Sequence, residues 1–172
     1  MRSFTVRRSR ADDAPAIHAL RSHPLTRRHQ PLIPGTVDAL ERALAERGSA
    51  ALTPDQDGKV QWTIEIGGEP AGWISVEVTS RSHHNATLGY ALAPHYHGQG
   101  VTSAAVLQTL EAIFAPDQLA IERLEAVAAV DNTGSRRVLE KCGFTYEGIA
   151  RGYLIISGRR VDHARYARLR SD

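Results

Sequence analysis

The strongest chemical signal in the chain is a run of four residues, His97-Gly98-Gln99-Gly100. They lie between an apolar, strand-like run, Thr87-Leu88-Gly89-Tyr90-Ala91-Leu92, and a helical run that opens near Val101. A strand that enters a glycine-bearing turn and then opens a helix is suited to holding phosphate. Glycine lets backbone N–H groups approach the ligand, and the helix N-terminus adds positive partial charge. A Walker-type loop needs Gly-x-x-x-x-Gly-Lys-Ser/Thr, and that string is absent. A dinucleotide fingerprint needs a third glycine where Ser103 stands, and it opens a first βαβ unit rather than lying past the middle of a chain. His95 and His97 could ligate a metal, but no Cys or carboxylate cluster completes a set, so no metal is expected. Cys142 could act as a nucleophile, but its place on the apolar face of a helix reads as core.

The elements that must position this turn follow from periodicity. Phe4 to Arg8 alternates as a first strand, and Ser9-Arg10-Ala11-Asp12 reads as a helix start, capped by Ser9 or an aspartate with Pro15 in the first turn. Ser22 to Gly35, with three prolines and two histidines, reads as a loop. Val37, Leu40 and Leu44 recur at helical spacing after Thr36. Val60, Trp62, Ile64 and Ile66 alternate with Gln61, Thr63 and Glu65, which predicts a half-buried strand. Gly67-Gly68 makes a hairpin turn into a strand from about Pro70 to Val78, across which Trp62 and Trp73 are expected to face each other. After the glycine turn, Val106, Leu107, Leu110, Ile113 and Phe114 form one apolar stripe. Leu124 to Val130 is a strand, Asp131 to Ser135 starts a helix stopped by Gly143, and Phe144 to Leu169 reads as two strands joined at Ser157-Gly158. The order β-α-α-β-β-β-α-β-α-β-β predicts a mixed α/β sheet with helices on its faces.

The whole chain narrows the class. Its 172 residues suit one domain spanning 1–172. A net charge of +2, with acids and arginines interspersed, argues against nucleic acid as a partner. No apolar run reaches bilayer length, the N-terminus lacks a signal-peptide core, and a single cysteine excludes an internal disulfide. A cytoplasmic protein without a membrane partner is expected.

The stretch Leu88 to Gly100, the segment Asn132 to Phe144, and Glu147-Gly148 followed by Ser157 to Asp162 and Tyr166 resemble GCN5-related (GNAT) N-acetyltransferases, and within them the RimJ/RimL-like ribosomal-protein alanine acetyltransferases. The likeness runs through nearly the whole chain in order. It implies the GNAT fold: a mostly antiparallel sheet of six or seven strands, with two central parallel strands splayed apart and helices on both faces. It implies acetyl-CoA as co-substrate, with the pantetheine arm on the backbone of Ala91, Leu92 and Ala93. The pyrophosphate would rest on N–H groups of His97, Gly98, Gln99, Gly100, Val101 and Thr102. The acceptor would be a primary amine, on a protein N-terminus or a small molecule, attacking the thioester directly in a ternary complex. Ser135 matches the hydroxyl that protonates the departing thiolate, and Asn132 matches the asparagine that contacts cofactor or an ordered water. Both residues also suit a helix N-terminus, and the two roles are compatible.

The chain departs from the family pattern at His95 and His97, where other polar or aromatic residues are usual. It also departs at Leu139, where many members carry a tyrosine, and at Leu154, where some carry a glutamate. Glu77, His83 and His84 are expected near the acceptor cleft, with deprotonation through water needing no named base. The loop from Ser22 to Gly35 is expected to cover that cleft, and the resemblance allows a homodimer through the late strands. Two alternatives stand beside this reading: an acetyltransferase confined to small molecules such as antibiotics, and a non-catalytic acyl-CoA-binding regulatory module.

Overall fold

The computed structural model describes residues 3–33 and 35–172; Met1, Arg2 and Pro34, which fall in the expected N-terminal and loop segments, lie outside them. Seven strands form one sheet: β1 (Phe4–Arg8), β2 (Lys59–Ile66), β3 (Glu69–Ser80), β4 (Asn85–Leu92), β5 (Arg123–Ala129), β6 (Thr145–Ile156) and β7 (Arg159–Leu169), in the order β1-β2-β3-β4-β5-β7-β6. Only the central pair, β4 and β5, is parallel; the other pairings are antiparallel. The helices are α1 (Ala14–Ser22), α2 (Pro24–Arg27), α3 (Val37–Ser49), α4 (Val101–Phe114) and α5 (Thr133–Lys141). The expected order therefore holds, and strand ends move by a residue or two.

Each face of the sheet has its own core. On one side Val60, Trp62, Ile64, Ile74 and Val76 pack with Val106, Leu110 and Ile113 of α4 and with Leu139 of α5. On the other, Trp73 and Ala91 meet Ile17 of α1 and Leu40 and Leu44 of α3. In register, Trp62 lies opposite Ile74 and Trp73 opposite Thr63, so the two tryptophans occupy opposite faces and do not meet. The expectation failed because neighbouring register positions, not facing ones, send side chains to opposite sides.

The polar side of β2 is not half-exposed as its alternation suggested. Gln61 and Thr63 are buried, because α1 and α3 cover that face. Ser9, expected as a cap, is buried there too, with its hydroxyl 3.0 Å from Thr63 Oγ1. The Asp13 carboxylate accepts from both Arg7 guanidinium nitrogens at 2.9 and 2.7 Å, from the Arg10 N–H at 2.9 Å and from Thr63 Oγ1 at 2.7 Å. A buried carboxylate is tolerated when its lone pairs are filled in this way.

Two smaller corrections matter for the site. The loop after Ser22 contains a helical turn, α2, because Pro24 takes the first helical position and the His23 ring accepts from the Leu25 N–H at 3.2 Å. Leu107 falls off the buried stripe of α4 and is 39% exposed.

Candidate active site

The parallel pairing of β4 with β5 lasts only from Asn85–Thr87 against Arg123–Glu125. Beyond Thr87 the strands separate, which leaves half of β4 without a neighbour on that side. Antiparallel pairing sends alternate residues' backbone groups to opposite edges of a strand. Ala93 donates its N–H to Ala71 at 2.8 Å, and Ala91 stands in register with Trp73, so these residues serve β3. Tyr90 and Leu92 turn theirs to the gap, where their carbonyls accept from Gln30 Nε2 at 3.0 Å and His97 Nε2 at 2.9 Å. Of the expected trio, then, Leu92 has gap-facing backbone, and the N–H of Ala93 is already committed to β3.

The glycine turn is built as its sequence demands. Gly98 and Gly100 adopt φ of 74° and 79°, a left-handed conformation that side chains disfavour. Gly100 caps α4 without any side-chain oxygen, which leaves the first-turn N–H groups of that helix open to a ligand. The His97 N–H is not among them, because it donates to Pro94 at 3.1 Å. Gln99 donates from its side chain to the His95 carbonyl at 3.1 Å and closes the loop on itself. Val101 buries its side chain in the core and can offer only its N–H.

A cavity of about 330 Å³ lies over this gap. Ala91, Leu92, His97, Gly98, Thr102, Asn132 and Ser135 line it, while Ala93, Gln99, Gly100 and Val101 are off its surface. Leu25 to Gln30 supply the opposite wall, so the segment expected to cover the acceptor side also covers this one. A second cavity, of about 340 Å³, opens on the other side of the same gap, with Trp73, Ser75, Leu154 and His163 in its wall. His29, Gln30, Tyr90, Asn132 and Ser135 belong to both cavities. Their position is where two bound molecules would meet.

The junction has a defined hydrogen-bond arrangement. Asn132 Oδ1 accepts from the Ser135 N–H at 3.1 Å, capping α5, and the residue lines both cavities. The Ser135 hydroxyl lies 2.9 Å from the Tyr90 hydroxyl. Burial raises the Tyr90 phenol well above its ordinary pKa, against a smaller opposing effect of Ser135, so it stays protonated and donates to the Ser135 carbonyl at 3.1 Å. His29 Nδ1 lies 3.4 Å from Asp131 Oδ1.

Tyr90, His29 and Gln30 were not singled out in the sequence. Tyr90 stands within the apolar run Thr87 to Leu92, with Leu88 and Leu92 at the same alternation; His29 and Gln30 sit in an aperiodic stretch, and Gln30 reaches back to β4 from 60 positions away. Conversely, Glu77, His83 and His84 are not in the lining of either cavity. Glu77 pairs with Lys59 at 2.8 Å, and His84 reaches the Ala120 carbonyl at 2.9 Å, at the end of β4 remote from the gap. Leu139 is fully buried, and Cys142 is 1% exposed with its thiol pushed up to about 11 by burial, so neither serves the site. Among the described residues no group of three metal-ligating side chains occurs, and no helix is long and apolar enough to cross a membrane.

Residues 3–145 match the family described as acetyltransferase (GNAT) domain. The chain is 28% identical over 152 residues to the uncharacterized N-acetyltransferase YoaA of Bacillus subtilis, covering 87% of this chain and 84% of that protein. It is 29% identical over 118 residues to the L-amino acid N-acetyltransferase AaaT of Escherichia coli, covering 67% of this chain and 72% of AaaT. Among solved structures, the ribosomal-protein-S5-alanine acetyltransferase of Vibrio fischeri superposes with a TM-score of 0.83 at 23% identity, over 100% of this chain and 96% of that one, a likeness of fold.

Proposed function

The chain belongs to the GNAT acetyltransferase family, and from that premise we propose that it moves an acetyl group from acetyl-CoA to a primary amine by direct attack in a ternary complex. The observation that carries this reading is the meeting of two cavities at Tyr90, Asn132 and Ser135. One cavity has the donors that a pyrophosphate and a pantetheine arm require, and the other leaves room for the amine. The first-turn N–H groups of α4 and the backbone of Leu92 would hold the CoA moiety, with Gln30 and His97 giving up their carbonyls to its amides. When bound, acetyl-CoA supplies an activated thioester.

The chain's own groups then manage protons. The amine nitrogen forms a bond to the acetyl carbon as the carbon–sulfur bond breaks. His29, common to both cavities and oriented by Asp131, takes the proton the amine loses. Ser135 gives its proton to the departing sulfur and is reprotonated from water in the cavity, while Tyr90, kept protonated by burial, holds the serine hydroxyl in place across their 2.9 Å contact. No acyl-enzyme is required, since Cys142 is buried and its thiol is held neutral.

AaaT is named for L-amino acids and the Vibrio fischeri enzyme for a ribosomal-protein alanine, so both acceptor classes belong in the test. The purified chain, given acetyl-CoA and a panel of amino acids, polyamines and N-terminal peptides, should release free thiol with at least one amine. Tight acetyl-CoA binding without thiol release across the panel would favour the non-catalytic binding module and overturn the transferase reading.

A further inference from the structure

The second cavity carries a charge imbalance that the transfer chemistry does not use. Arg21 from the end of α1, Arg47 from the end of α3 and Lys59 from the start of β2 all line it. Lys59 is paired with Glu77 at 2.8 Å, and the His29 end has Asp131. Arg21 and Arg47 have no carboxylate within ion-pair distance among the described residues. Arg21 lies over the Trp73 ring at 5.8 Å from its centroid. Burial lowers the Arg21 pKa, and the nearby Arg47 charge lowers it further, as expected of two cations that share a space without a counter-charge.

Beneath them lies Gln61, only 2% exposed. Its Oε1 accepts from Arg47 Nη1 at 3.4 Å. Its Nε2 is buried with no hydrogen-bond partner. A buried amide N–H without an acceptor is costly, and proteins seldom keep one. This end of the cavity therefore presents donors from two guanidinium groups and one amide, and lacks an acceptor for them.

We propose that Arg21, Arg47 and Gln61 form a carboxylate subsite, so that the acceptor is a small amine carrying its own carboxylate, an α-amino acid or a close analogue. This rests on the transferase reading of the junction. The two fork-shaped guanidinium groups suit a planar carboxylate, and the Gln61 amide supplies the remaining donor. A cavity of about 340 Å³ with Arg21 and Arg47 in its wall suits a free amino acid and repels a polyamine. The amino group at the other end of such a molecule points back toward His29 and Ser135, which line the same cavity.

The test compares each of the twenty amino acids with its carboxamide, its decarboxylated amine and a dipeptide beginning with that residue, and adds spermidine. Thiol release from acetyl-CoA reads turnover, and calorimetry reads acceptor binding. The preferred amino acid should exceed its carboxamide and its dipeptide at least tenfold in kcat/KM. In Arg47→Gln and Arg21→Gln that preference should shrink to within twofold, mainly through KM, while acetyl-CoA binds as before. Equal use of the carboxamide, better use of the dipeptide or spermidine, or a preference that survives both substitutions would overturn the subsite. Amino-acid binding that is lost in Arg47→Gln, with no thiol release from the unaltered chain, would support the subsite and overturn the transferase reading instead.

Discussion

Replacing Ser135 by alanine isolates one hydroxyl. The Ser135 backbone N–H still reaches Asn132 Oδ1 at 3.1 Å, so the cap of α5 survives, and the fold and the acetyl-CoA site should be undisturbed. What goes is the group 2.9 Å from Tyr90 that would protonate the leaving sulfur. A positioned general acid contributes about 10²- to 10⁴-fold. Here the loss belongs at the low end, because a water that fills the vacated space can itself protonate the sulfur. We expect kcat to fall about 100-fold, which is about 2.7 kcal/mol of barrier. Tyr90→Phe leaves the serine hydroxyl in place and should cost about tenfold, or about 1.4 kcal/mol. Because the two hydroxyls act in series, the double variant should lose about 100-fold rather than the product of the two singles, about 1,000-fold. Thiol release at saturating substrates reads kcat, and calorimetry reads acetyl-CoA affinity. A Ser135→Ala enzyme that keeps more than half its kcat, or whose only loss is acetyl-CoA affinity, would refute the proton-donor role.

Three further outcomes follow from the same geometry. His29→Gln should lower kcat/KM about 100-fold, and the deficit should narrow as pH rises and more of the acceptor is already neutral; a pH-independent deficit would argue against proton removal by His29. Asp13 is buried, which alone would raise its pKa, but hydrogen bonds from Arg7, the Arg10 N–H and Thr63 outweigh this and hold it below the ordinary carboxylate value. Its stabilisation is therefore fully present above about pH 3.9 and is lost as pH falls through the lower folded value. Asp13→Ala should cost about 3–5 kcal/mol at neutral pH, and Asp13→Asn should flatten the dependence of urea midpoints on pH below that point. A β-carbon on Gly48 of α3 would fall 1.8 Å from the Ser9 carbonyl oxygen. Gly48→Ala should therefore destabilise by about 2 kcal/mol and lower Tm by about 4–8 °C; an unchanged Tm would mean that α3 can shift off β1 at no cost.

Much of the fold was legible because its signals are local. The alternation of Val60 to Ile66, the Gly67-Gly68 turn and the stripe through Val106, Leu110 and Ile113 each specify an element without reference to the rest of the chain. The glycine turn was legible for the same reason: Gly98 and Gly100 declare a backbone conformation at their own positions. What escaped is non-local. Gln61 and Thr63 read as the wet side of a strand because nothing in β2 announces that α1 and α3 will cover it. The N–H groups of Ala93 and His97 looked free until their partners, Ala71 and Pro94, were known. Tyr90 stood unremarked within an apolar run, and only the approach of α5 brings its hydroxyl to Ser135. His83 and His84 attracted notice by residue type, although β4 runs away from them toward the gap.

The most direct test of the account is a titration of isotopically labelled protein with acetyl-CoA, followed through backbone amide resonances. Saturable shifts should be largest at Gly98, Gly100, Val101 and Thr102 and at Tyr90 to Leu92, with smaller ones at Asn132 and Ser135. Saturable binding that leaves these amides unmoved, or no binding at millimolar acetyl-CoA, would contradict the assignment of the β4–β5 gap as the acetyl-CoA site.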